Sequence, residues 1–123
     1  MLSINSYKDL LVWKKSMLLA KEIYMLVKIL PKTEQYNLSS QMRRAAVSIF
    51  SNIAEGYGRE FTKEYVKFLK ISRGSKDELE SQLIFCLCID YLSEEETKTA
   101  FIYLDEIGKM LNSLINKLSV PNA

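Results

Sequence analysis

The chain has 123 residues, 48% hydrophobic and 26% charged, with four Gly and two Pro, which suits one globular domain with its own core and excludes collagen-like, Pro-rich or linker-dominated chains. It contains no His, which removes imidazole-based triads, His-ligated zinc and the usual acid–base group at neutral pH, and its two Cys alone cannot fill a tetrahedral metal site. The net charge of +2 hides a split: residues 1–76 carry 14 basic and 6 acidic side chains, whereas residues 77–123 carry 3 and 9. Either one basic and one acidic surface follows, or a basic helix lies beside an acidic one.

The first helix is expected over about residues 7–30. Leu10, Trp13, Met17, Ala20, Tyr24 and Val27 recur at steps of three and four, a neighbouring line of Leu19, Ile23, Leu26 and Leu30 widens the stripe, and Pro31 stops it. Lys8, Asp9, Lys14, Lys15, Lys21, Glu22 and Lys28 interrupt any signal-peptide core in this stretch. The second helix, about 38–56, starts from Asn37 as N-cap and ends at Gly56 and Gly58. Its core line is Leu38, Met42, Ala45, Ile49 and Ile53, and its polar line is Gln41, Arg44, Ser48, Ser51 and Glu55.

The third helix, about 62–91, has Thr62 as its cap and a seam through Tyr65, Phe68 or Leu69, Ser72, Ser75, Leu79, Leu83 and Cys86. Gly74, with Ser72 and Ser75, offers a small surface on which another helix fits closely. Cys86 and Cys88 lie in the longest apolar run, Leu83–Ile89, far short of the roughly 20 residues of a membrane span. About 200° apart on a helix, they read as buried free thiols rather than paired ligands and fit a reducing cytoplasm. Ser93-Glu94-Glu95-Glu96 forms a capping box that opens the fourth helix, about 94–118, which ends before Pro121. Ala100, Leu104, Ile107, Leu111, Leu114 and Leu118 form its seam. Four helices with short connections predict an all-α, antiparallel up-down-up-down four-helix bundle as a single domain.

Sixteen of the 24 residues from 7 to 30 are hydrophobic, against roughly ten for a helix with one wet side. This surplus, with the Leu83–Ile89 run, predicts self-association through Leu19, Ile23, Leu26, Leu30, Ile84, Phe85 and Leu87. Candidate nucleic-acid contacts are the adjacent Arg43 and Arg44, the row Lys63, Lys67 and Lys70, and the row Lys14, Lys21 and Lys28, since Arg binds phosphate bidentately and Lys rows follow a polyanion. Glu22, Glu60 and Glu64 interleave with these lysines, so an ordinary solvated face is the competing reading. Arg44, Asn52, Glu55 and Gly56 are expected to anchor the corner between the second and third helices. Trp13 and Tyr24 have the chemistry to stack bases, but their seam positions favour core packing. A di-metal carboxylate bundle needs Glu-x-x-His pairs, so no catalytic residue, metal or cofactor is expected.

Residues 41–58, Q-M-R-R-A-A-V-S-I-F-S-N-I-A-E-G-Y-G, are the specific part of a wider likeness. With L-V-W-K-K-S in the first helix, E-Y-V-K-F-L-K-I-S-R-G-S-K-D-E-L-E-S-Q-L in the third and the leucine-rich last helix, the chain resembles the four helix bundle protein family, also called the 23S rRNA intervening-sequence protein family, over about residues 5–118. Phe50 departs from a Pro frequent in that family, which puts a kink in the second helix in doubt; Arg73 and Lys76 flank Gly-Ser where smaller or apolar residues are usual. The resemblance implies a small bacterial protein without known catalytic activity, typically a ring-like homopentamer. It also implies a genomic link to insertions in large-subunit ribosomal RNA genes and hence suggests RNA or DNA as partner. A related group resembles the accessory variability determinant of diversity-generating retroelements, which binds a reverse transcriptase, so a protein partner is the alternative.

Overall fold

In the computed structural model, which describes residues 5–120, a 3-10 turn at Tyr7–Asp9 leads into α1 (Leu11–Leu26). A second 3-10 turn at Lys32–Glu34 precedes α2 (Leu38–Tyr57), α3 (Thr62–Cys88) and α4 (Glu94–Ser119). The first helix is shorter at both ends than its periodicity implies. Leu10 is extended (φ −71°, ψ 126°), which separates α1 from the Tyr7–Asp9 turn. At the other end the chain tightens into bonds three residues apart, Ile29 N to Leu26 O at 3.0 Å and Leu30 N to Val27 O at 3.3 Å, because Pro31 disfavours a helical residue before it.

The other termini follow local chemistry with three corrections. Ser93 forms the expected capping box: its Oγ accepts from Glu96 N at 3.1 Å while Glu96 Oε1 accepts from Ser93 N at 2.9 Å. Asn37 stands at the N-cap position of α2, but its side chain caps nothing there. The Glu34 carboxylate instead accepts from Leu38 N and Asn37 Nδ2, both at 3.4 Å, and from Tyr91 Oη at 3.0 Å, tying two helix connections together. That hydrogen bond is the first cause, ahead of burial, that raises the Tyr91 phenol above its ordinary pKa. Thr62 is the first residue of α3 rather than its cap, which is Phe61. α3 stops at Cys88, where Asp90 turns left-handed (φ 61°) and Tyr91 N donates to Cys86 O at 2.9 Å. Pro121 lies outside the described residues.

The helices follow one another around the bundle, α1 packing on α2 and α4, and α3 on α2 and α4, so that α1 and α3 are diagonally opposed. α2 and α3 are antiparallel: Met42 meets Cys86 (3.9 Å), Ser48 meets Ser75 (2.7 Å), and Ile49 O accepts from Ser72 Oγ (2.8 Å). α3 and α4 are antiparallel as well, with Arg73 donating to Asn112 Oδ1 at 3.0 Å and the Lys76 stem lying over Gly108. The two basic departures flanking Gly74-Ser75 therefore join α3 to α4. Phe50 packs half-buried on the core of an uninterrupted α2.

Met42, Ile49, Ile53, Leu79, Leu83, Leu104 and Leu111 are fully buried at the centre, as their seams predict, and Ile115 joins the α4 line. α1 differs. Its inward line is Val12, Ser16, Leu19, Ile23, Leu26 and Leu30; of the row expected to lead, Ala20 and Val27 are buried and Leu10 and Trp13 half-buried, whereas Met17 (39%) and Tyr24 (44%) are exposed. The row expected only to widen the stripe is thus the core row. It escapes a hydrophobic pattern because Ser16 interrupts it; buried, its Oγ donates to Val12 O at 2.7 Å and is satisfied.

Ser72 and Ser75 do meet α2, but Gly74 is exposed, and a Cβ there would have nothing within 4 Å. Helix propensity alone then decides the outcome. Gly74→Ala is expected to raise stability by about 0.5–1 kcal/mol, read as a higher urea midpoint at unchanged m value.

Candidate nucleic-acid interface

Seven-residue spacing drifts only about 20° on an α-helix, so Lys14 and Lys21 share the outer side of α1, and Lys28, exposed in the turn two residues past its end, follows them with its Nζ turned to Met25 Sδ at 4.0 Å. Apolar rows flank these lysines. Toward α4 lie Leu11, Leu18, Met25 and Ile29, all exposed, and that side is marked by the Lys15–Glu106 ion pair at 3.2 Å. Toward α2 lie Met17 and Tyr24.

Tyr24 reaches a groove of about 460 Å³ between α1 and α2, whose other walls are Ser40, Arg43, Arg44, Val47, Ser48, Ser51 and Asn52. Adjacent residues on a helix diverge by about 100°, and the two arginines differ accordingly. Arg43 is half-buried and donates to Gln35 O at 3.3 Å, beside Lys28 and Lys32. Arg44 is exposed and makes no ion pair among the described residues; Glu78 shares the hollow on its other side without closing one. The groove floor is braced by Asn52 Nδ2 donating to Ser48 O (2.8 Å) and Oγ (3.0 Å), and by the Ser48–Ser75 hydrogen bond. Two guanidinium groups, hydroxyls and a ring are thereby held on a rigid pair of helices, an arrangement able to bind phosphate and stack an aromatic.

Lys63, Lys67 and Lys70 are not part of this surface. They rim a separate groove of about 840 Å³ floored by Val66, Ile71, Leu118 and Val120, on the helix diagonally opposed to α1. The expected polar motif also separates. Glu55 pairs with Arg59 at 2.9 Å, whose guanidinium lies 4.8 Å from the Phe68 ring centre, while Asn52 serves Ser48. Arg44 is about 16 Å along the helix from Glu55, too far for contact. Gly56 is buried inside α2 and does not cap it; a Cβ there would stand 2.6 Å from Phe68 Cβ. The links that form here are the i,i+4 pair of Glu55 with Arg59, whose local spacing is a signal the expected motif omits, and the bonds of Ser72 and Ser75 to α2, seam serines expected only to be small.

The interface residues expected from the apolar surplus divide the same way. Leu19, Ile23, Leu26 and Leu30 lie in the protomer's own core and cannot meet another copy. Ile84 (49%) and Phe85 (50%) are exposed, and Leu87 is half-buried. Leu11, Leu18, Met25 and Ile29 hold the exposed surplus of α1 instead. Cys86 is buried with its thiol pushed up by that burial and then by Glu34, but Cys88 is exposed, correcting the expectation for the second thiol.

Of the five ion pairs among the described residues, Lys15–Glu106 alone joins two helices. On α4, Glu94, Glu95, Asp105 and Glu106 stand around Phe101 and Ile102 with Lys98 among them, Asp105 pairing with Lys109 and Glu106 with Lys15, so the acidic side of the charge split is partly neutralised. Among the described residues no three Cys, Asp or Glu side chains converge as metal ligands would, and no helix is long and apolar enough to cross a membrane.

The model of the 23S rRNA-intervening sequence protein family matches residues 8–113. Among solved structures, the chain is similar to a protein of unknown function from the S23 ribosomal protein family of Bacteroides thetaiotaomicron, at 27% identity and a TM-score of 0.79, covering 85% of this chain and 98% of that one. No curated protein matches.

Proposed function

The chain belongs to the 23S rRNA-intervening sequence protein family, and from that premise we propose that it is a non-enzymatic, homo-oligomeric bundle protein of the cytoplasm that binds nucleic acid through the α1–α2 surface. The observation that carries this reading is Arg44, a cation with no ion-pair partner among the described residues, set with Arg43 in a groove of hydroxyls beside Lys21 and Lys28. An arginine left without an ion pair beside a helix with exposed lysines forms an electrostatic footprint for a polyanion.

Self-association rests on the exposed apolar rows. Met25 on α1 with Ile29 just past it, and Ile84 and Phe85 on α3 with Ile89 just past it, lie toward the same end but on diagonally opposed helices. A contact joining two different faces is head-to-tail and closes into a ring when the rotation permits; five copies is the number that the family resemblance supplies.

Binding to a labelled RNA strand, followed by anisotropy against salt, tests the proposal. Affinity is expected to fall with a log–log slope of about −0.7 to −0.9 per phosphate neutralised. Arg43→Gln with Arg44→Gln is expected to weaken binding by about tenfold or more and to reduce the slope by roughly one per arginine, whereas replacing Lys63, Lys67 and Lys70 by Gln changes it less. Unchanged binding in the arginine variant sinks the reading. A second reading, a protein–protein adaptor such as a reverse-transcriptase accessory protein with no direct nucleic-acid contact, is favoured by the acidic surface around Phe101 and Ile102. It predicts no RNA binding and capture of a basic partner that is lost when Glu94, Glu95, Asp105 and Glu106 are neutralised.

A further inference from the structure

We infer that the nucleic acid taken by the α1–α2 surface is single-stranded, with a base stacked on Tyr24. The inference rests on the nucleic-acid reading above and narrows it to a class of ligand. Tyr24 is flanked along α1 by Lys21 three residues before, and across the groove by Arg43 and Arg44, while Lys28, just past the end of α1, turns its Nζ to Met25 Sδ at 4.0 Å. An aromatic ring 44% exposed among three cations, with no hydrogen bond to its hydroxyl among the described residues, is a poor use of a tyrosine in a plain solvated face. The second candidate stacker differs: Trp13 is half-buried and set edge-on to Tyr7, ring centres 5.2 Å apart.

A duplex offers this surface phosphates alone, because its bases already stack on one another, and the ring would add nothing. An unpaired strand offers base faces between its phosphates, and alternation of cations with an aromatic platform matches that repeat. Lys21 on α1 and the two arginines across the groove stand on either side of the ring, so that phosphates flanking the stacked base each meet a cation. Ser40 and Ser51 hydroxyls beside the arginines supply donors and acceptors for a base edge or a ribose 2′-hydroxyl. The acidic groups nearby are Glu22, on the α4-facing side of α1, and Glu78, in the hollow beyond Arg44, and neither lines the groove with Tyr24.

The test compares a fluorescein-labelled RNA of roughly 12 nucleotides with the same strand annealed to its complement. The single strand is expected to bind at least about tenfold tighter. Tyr24→Ala is expected to weaken single-strand binding by about 5- to 100-fold, leave duplex binding within about twofold and leave the salt slope unchanged, since no charge is removed. Tyr24→Trp restores binding to the parent value or better. The ring is on the surface, so neither substitution threatens the core. Equal binding of strand and duplex, or no effect of Tyr24→Ala while Arg43→Gln and Arg44→Gln still weaken binding, overturns the single-strand inference and leaves the nucleic-acid reading standing. Absence of binding to either RNA overturns both.

Discussion

Gly56→Ala is expected to lower the unfolding free energy by about 2 kcal/mol, within the range for overpacking a closed contact. On helix propensity alone the change would gain about 1 kcal/mol, so its sign tests the packing directly. The new methyl would stand 2.6 Å from Phe68 Cβ, 3.1 Å from Tyr65 Cδ1 and 3.3 Å from Tyr65 O. A Cβ cannot swing aside as the tip of a lysine can, so α2 and α3 must separate where they join. That corner also holds the edge-on Tyr57–Tyr65 pair at 5.9 Å and Arg59 over Phe68, and both loosen with it. Gly58→Ala is the control: its methyl would lie 3.6 Å from Glu55 O, an ordinary contact, and stability should stay within about 0.5 kcal/mol. Urea midpoints at constant m value decide between them. A Gly56→Ala protein as stable as the parent would mean that the helices are not in close contact there.

Replacing both Ile84 and Phe85 with Lys is expected to release folded single chains of 14.2 kDa from the assembled form, seen by light scattering at micromolar concentration, with helical content and thermal midpoint of the fold retained. Both side chains are about half-exposed, so the substitutions leave the protomer core intact and act on an apolar patch that a second copy would cover. Leu19→Lys should behave in the opposite manner. Leu19 is fully buried, and a charge there costs more than the 2–5 kcal/mol typical of truncating a core leucine, so the variant unfolds rather than dissociates. If the unaltered protein weighs the same as one chain in dilute solution while folded, self-association is wrong, and the ring with it.

The division between what was readable in the chain and what was not falls along the range of the forces. Four helices, the Ser93–Glu96 cap and the seams of α2 and α4 follow from residues within a few turns of one another, because caps and amphipathic stripes are local. The ends of α1 and α3 move by a few residues because Leu10, Pro31 and Asp90 set turns that periodicity does not register. The inward side of α1 depended on its neighbours. Two apolar rows were available, and burial of Leu19 and Ile23 with a satisfied Ser16 between them, leaving Tyr24 outside, is a property of where α2 and α4 stand. Tertiary placement also drew Tyr24 beside Arg43 and Arg44, set Lys63, Lys67 and Lys70 apart from them, and made Gly56 a contact point rather than a helix end. A linear pattern specifies how wet or apolar each strip of a helix is, but which strip meets which is settled only when four rods compete to bury them at once.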